Sequence, residues 1–216
     1  MAAHSGAFVG VVAVVVFLVL RQVTTMADNG PSTIEVVPLE KAVHLVQVLG
    51  RHRDAIGGDF RGYKNHCLRV LSLALHHLGG PDGVSDSERR DLELAIGYHD
   101  IALWTDDALA YLEPSIERAL GEVGDEVDDV LLRDVIYWHH KVTSFTEGPT
   151  PRHNDLVNAV RIADWADATL GLVSSFNVGD LRAVQAAFPN SGFHMALGRF
   201  SMQLQGWQVP WGILKW

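Results

Sequence analysis

The sequence predicts an all-α protein, a single bundle of about six to eight helices. Three observations carry that reading. From Pro38 onward apolar residues recur at the spacing of one buried helix face, and short polar or Gly/Pro breaks separate the segments. No alternation of apolar and polar residues runs long enough for a strand. With 216 residues, 48% hydrophobic and 20% charged, the chain is one domain's worth and can bury a core.

Each helix has its own signals. In the first, Leu39 to about Ile56, an apolar stripe runs through Leu39, Val43, Val46 and Leu49, and Gly57-Gly58 ends it. The second, Phe60 to Leu78, aligns Leu68, Leu71, Leu75 and Leu78 and stops at Gly79-Gly80-Pro81. Ser85 opens the third, Glu88 completes a capping box, and the helix runs through Leu92, Leu94 and Ile96 into Tyr98-His99-Asp100. Pro114 suits the first turn of a fourth, Glu113 to Val123. A fifth spans Asp125 to His140 and a sixth Asp155 to Leu172. Residues from about Gly179 to Trp207 add two more.

Residues 1–33 stand apart from the domain at 34–216. Gly6 to Leu20 is apolar and uncharged, yet shorter than the roughly 20 residues a spanning helix wants. It also lacks the flanking charge and cleavage site of a secretory signal. Two readings stay open: a marginal membrane anchor at residues 6–20, or translation beginning at Met26, which leaves a cytoplasmic protein. The aromatic end WQVPWGILKW either docks on the body or mediates self-association into a homo-oligomer.

Charge and cysteine usage narrow the function classes. A net charge of −9 argues against nucleic-acid binding, which needs dense Lys/Arg surfaces. The single cysteine, Cys67, excludes an intramolecular disulfide and a thiolate zinc cage, and agrees with a reducing compartment. Any metal must therefore use His and carboxylates.

The placement of those groups is informative. His66 lies mid-helix between Tyr63 and Val70, His99-Asp100 ends the apolar stretch of LAIGYHDIALW, and His139-His140 ends VIYWHH. Asp164 lies in VNAVRIADWADATLG, with Asp167 one turn later. Acids in apolar helices need a cation or strong hydrogen bonds, and such groups on different helices can converge in a bundle core to hold a metal. Plainer roles suit other residues: a helix C-terminal dipole role for His76-His77, a surface place for His153 and His194, and a cap or pairing with Arg161 for Asp167. Trp104, Trp138 and Trp165 fit core packing, although walls around a small substrate would look the same.

The order His … His-Asp … Asp on successive helices resembles the signature of the HD superfamily of metal-dependent phosphohydrolases. The matching stretches are NHCLRV, IGYHDIALW and AVRIADWADATLG, about Tyr63 to Gly171, half of the chain. The resemblance implies a divalent ion (zinc, manganese, iron or similar) on His66, His99, Asp100 and Asp164, with His139 or His140 as a further metal or substrate contact. It implies a metal-activated water with Asp100 as ligand and proton acceptor. Lys141, Arg69 and Arg161 are the candidates for catalysis or for holding a phosphoryl oxygen. The sequence departs from two branches: Leu103 stands where cyclic-dinucleotide phosphodiesterases carry Lys and nucleotidase-like members Glu, and HHK replaces HHE. The implied function is hydrolysis of a small, nucleotide-like phosphate ester. Alternatives are an HD-fold lyase hydrating a small nitrile-like molecule and a non-catalytic metal-binding regulatory module.

Overall fold

The computed structural model describes residues 31–106, 110–124 and 127–203, and every regular element among them is helical. Eight longer helices follow in order: α1 (Val43–Arg51), α2 (Phe60–His77), α3 (Asp86–Tyr98), α4 (Leu112–Glu122), α5 (Asp129–Trp138), α6 (Pro151–Ala168), α7 (Val178–Ala187) and α8 (Phe193–Gln203). Single helical turns at Arg53–Ile56 and Ala102–Thr105 join them. The all-α bundle is therefore as the sequence predicts.

The boundaries moved where capping came from side chains that periodicity does not weigh. The first expected helix is split. α1 begins at Val43 because Glu93 of α3 accepts from the amides of His44 (2.9 Å) and Leu45 (3.4 Å), replacing the side-chain cap that Ala42 lacks. It stops at His52, whose ring reaches Glu122 at 3.0 Å. α5 starts at Asp129, with Asp128 Oδ1 accepting from Val130 and Leu131 at 3.1 and 3.0 Å. α6 starts at Pro151, earlier than Asp155, because Thr150 accepts from His153 N at 3.1 Å and proline is preorganised for the first turn. It ends at Ala168, where Leu170 (φ 55°) and Gly171 (φ 82°) turn the chain left-handed.

At the centre lies α2, buried along most of its length and packed most extensively on α6. Two stripes run along it. Leu68, Leu71 and Leu75 join the main apolar core with Leu45, Leu49, Leu92, Ile96 and Val160. Asn65 and His66, followed at three- or four-residue spacing by Arg69 and Ser72, form a second stripe that is polar and also buried. Such groups persist in a core only when hydrogen-bonded or paired, and each member of this stripe has such a partner.

The first described residues are tied to α7. Buried Asp180 of α7 accepts from Ser32 Oγ (2.9 Å), Thr33 N (2.7 Å) and Ile34 N (2.9 Å), so residues 32–34 belong to the domain. The apolar run at 6–20 and the aromatic tail from Trp207 lie outside the described residues. Among those described, no helix is long and apolar enough to cross a membrane.

The capping box at α3 is present in full. Glu88 N donates to Ser85 Oγ at 3.2 Å and Ser85 N to Glu88 Oε2 at 2.7 Å. Arg152 of α6 bonds the same carboxylate at 2.7 and 3.0 Å and holds it down to about 2. Ser85→Ala is expected to lower unfolding free energy by about 1 kcal/mol at neutral pH in urea titration. Because the Glu88 carboxyl is depressed from 4.5 to about 2, its own contribution is present above pH 4.5 and is lost as pH falls through 2. Guanidinium–carboxylate pairing across α3 and α6 should therefore weaken in acid, not in base.

Candidate metal centre

His66 sits within α2 and Asp164 near the end of α6, while His99-Asp100 and His139-His140 directly follow α3 and α5. The two post-helical histidines are placed by one local device. His99 Nδ1–H donates to Ile96 O at 2.6 Å and His139 Nδ1–H to Ile136 O at 2.7 Å, each satisfying a carbonyl left open at its helix end. That bond sets the tautomer and presents the Nε2 lone pair on the far side of each ring. His66 reaches the same state through α6, donating from Nδ1 to Asp167 Oδ2 at 2.7 Å.

Three Nε2 atoms thus meet two carboxylates. His66 Nε2 lies 3.1 Å from His99 Nε2 and 3.3 Å from Asp164 Oδ1. His99 Nε2 lies 3.2 Å from Asp100 Oδ2 and 3.8 Å from Asp164 Oδ1. His139 Nε2 lies 3.4 Å from Asp100 Oδ1. Lone pairs facing one another at 3.1 Å repel unless a proton or a cation stands between them. Bonds of about 2.1 Å to one ion place neighbouring ligand atoms roughly 3.0–3.4 Å apart, and all of these distances but the 3.8 Å one fall in that range. His66, His99 and Asp100 are all buried with ligand atoms within 4.8 Å of one another, a group able to hold a metal ion. Among the described residues the ion pairs of Asp100 and Asp164 are with imidazoles alone, so the two acids call for added positive charge. The donor set fits a divalent cation.

The protons respond to this crowding. Burial pushes the His66 imidazolium down, but hydrogen bonds to Asp164 and Asp167 outweigh it and raise the group to about 9. His99 is likewise raised to about 9, burial being outweighed by the Asp100 charge and hydrogen bond. For Asp100, burial pushes the carboxyl up, while His99 and His139 hold it well below the usual carboxylate range. Asp100 is therefore held in its ionised form beside the raised imidazoles.

The structure gathers His66, His99, Asp100 and Asp164, with His139 Nε2 at 3.4 Å from Asp100 Oδ1. His140 stands behind it, Nδ1 3.4 Å from His139 Nε2 and 3.5 Å from the Tyr111 hydroxyl. Two of the three expected substrate cations, Arg69 and Arg161, spend their donors elsewhere. Arg69 is 0% exposed: Nε and NH2 donate to Asp167 at 2.5 and 2.7 Å, and NH1 to Phe188 O at 2.7 Å. Its guanidinium orients Asp167 and does not face a substrate. Arg161 spends its guanidinium on Asn158, Ser144 and the carbonyls of Lys141 and Val142, pinning the loop after His140. Lys141 is buried with Nζ 4.7 Å from the Tyr137 ring centre.

Several plain readings are corrected. Asp167 pairs with His66 and Arg69, not with Arg161, and is 2% exposed. His153 is buried against Asp134 at 2.8 Å, and His194 Nε2–H donates to Asp167 O at 3.1 Å. Trp104 and Trp138 pack against the core as expected, and all three indole N–H groups are taken up: Trp104 by Asp59, Trp138 by Thr143 O and Trp165 by Lys141 O. Sequence reasoning missed Tyr63, whose ring stacks near His66 and His99 and whose hydroxyl donates to Gly97 O while accepting from Asp100 N. It also missed Tyr111 and Phe193. A signal for Asp167 was present: His66/Arg69 and Asp164/Asp167 are both polar i,i+3 pairs on helices expected to pack in the core, the pattern of two facing stripes.

Such a cluster, built across four segments of a helical bundle, defines a His/carboxylate centre. Comparison of the chain with protein-family models, with curated proteins and with solved structures finds no match.

Proposed function

We infer that this protein is a metal-dependent hydrolase of the HD type, acting on a small phosphate ester of nucleotide-like class. The observation that carries the reading is the convergence of the His66 and His99 Nε2 lone pairs, 3.1 Å apart, on buried carboxylates. Zinc, manganese or iron suits this donor set. When bound, such an ion acidifies water and offsets negative charge on the reacting group. The chain's own residues then divide the work. His66, His99 and Asp164 would hold the ion, with Asp167 and Ile96 O fixing the two rings. Asp100 turns Oδ2 toward His99 and Oδ1 toward His139, so one oxygen would hold the cation while the other would accept a proton and pass it to His139. Tyr111, 3.4 Å from His139 Nε2, continues that hydrogen-bonded line.

A second reading is hydration of a small nitrile-like molecule at the same centre. The engagement of Arg69 and Arg161 elsewhere favours it, since a neutral substrate needs no guanidinium. Elemental analysis of the purified chain beside Asp100→Ala, followed by phosphate-ester and nitrile panels, separates the two. Near-stoichiometric transition metal, lost in the variant, with phosphate release supports the hydrolase; turnover of nitriles alone assigns the hydratase. Metal that raises melting temperature without any turnover points to a regulatory module. Folded protein that takes up no manganese, zinc or iron overturns the centre altogether.

A further inference from the structure

We propose that Phe193 is a positioning residue of the metal centre, clamped onto the face of His66 by the turn that precedes α8. The inference rests on the metal-centre reading above. Its ring lies 3.9 Å from the His66 ring, centre to centre, at an interplanar angle of 12°, and it is 1% exposed. An imidazole's final torsion is broad and roughly two-fold, so burial alone leaves the ring tilt loosely set. Asp167 fixes the direction of Nδ1, and a flat ring on one face restricts the tilt. Together they aim Nε2. The same contact keeps water from that face of the ligand.

One face of α2 holds the turn in place. Gly62, Asn65 and Arg69, at positions i, i+3 and i+7, all grip residues 188–193, and His66 lies between them. A Cβ on Gly62 would stand 2.9 Å from Phe193 N and 3.0 Å from Ser191 O, so only glycine admits the chain this close. Asn65 Nδ2 donates to Pro189 O at 2.6 Å and Ser191 Oγ at 3.4 Å. Arg69 NH1 takes Phe188 O at 2.7 Å. Ser191 and Gly192 are both left-handed, with φ of 50° and 92°, which turns Phe193 back toward α2. The centre is thereby completed by the last two described helices, far from the ligand motifs in sequence.

Cobalt(II) titration of the full chain tests this, reading affinity by chelator competition and ligand geometry by visible absorption. Phe193→Leu keeps an apolar filler but removes the flat face. It is expected to weaken cobalt binding about tenfold or more, in the range found for residues supporting metal ligands, and to change the absorption band. Asn65→Ala releases the turn without touching the ring, shifts both readouts the same way, and carries the test if Phe193→Leu does not fold. Met195→Ala, at an 80% exposed site on the same helix, should leave both unchanged. Wild-type affinity and spectrum in folded Phe193→Leu or Asn65→Ala would overturn the clamp. A wild-type chain that binds no cobalt would overturn the metal centre itself, and the clamp with it.

Discussion

Asp167→Ala is expected to lower unfolding free energy by about 3–5 kcal/mol and to weaken metal binding about ten- to a hundredfold. Two separate losses combine. Arg69 is 0% exposed, and Asp167 is the only carboxylate it meets among the described residues; removal strands a buried guanidinium. His66 at the same time loses the 2.7 Å acceptor that sets its tautomer. Gln185, 3.2 Å from Asp167 Oδ1, also loses a partner. Asp167→Asn should fall between, because the amide oxygen still accepts one bond while the charge is gone. Chemical denaturation in chelator isolates the first loss and metal competition the second. If metal affinity is unchanged in a folded variant, the orienting role assigned to Asp167 is wrong.

Metal affinity is expected to fall about tenfold for each pH unit below 9, because a proton on the His66–His99 pair must leave before a metal enters. Both imidazoles are raised from 6.5 to about 9, and both press Nε2 into the same space. The sign for the metal-free fold is the reverse. A raised imidazole contributes stability that is complete below pH 6.5 and is lost as pH rises through 9, uncovering carboxylates that only a cation then satisfies. The melting-temperature gain on adding metal should therefore widen from pH 6 toward pH 9. Calorimetry in two buffers of different ionisation enthalpy should find at least one proton released per metal at pH 7. Affinity that is flat between pH 6.5 and 8.5 would mean the pair is uncharged before binding.

Features that depend on near neighbours are legible in the chain alone. Helical periodicity follows from the chain's own repeat, and the Ser85/Glu88 capping box closes within four residues. The ligand types were legible for the same reason: an imidazole or a carboxylate inside an apolar helix needs explanation before any partner is known. Tertiary structure decided everything that depends on what stands opposite. Asp167 looks like a surface acid until Arg69, 98 positions earlier, is seen against it. Arg69 and Arg161 look available for phosphate until their donors are found occupied. Glu93 caps a helix 48 and 49 residues away, and Phe193 reaches a ligand on α2 through a glycine whose purpose no local pattern reveals. A charge or a ring carries the same symbol wherever it lies; burial and its partner give it a role, and both are set only when distant helices meet.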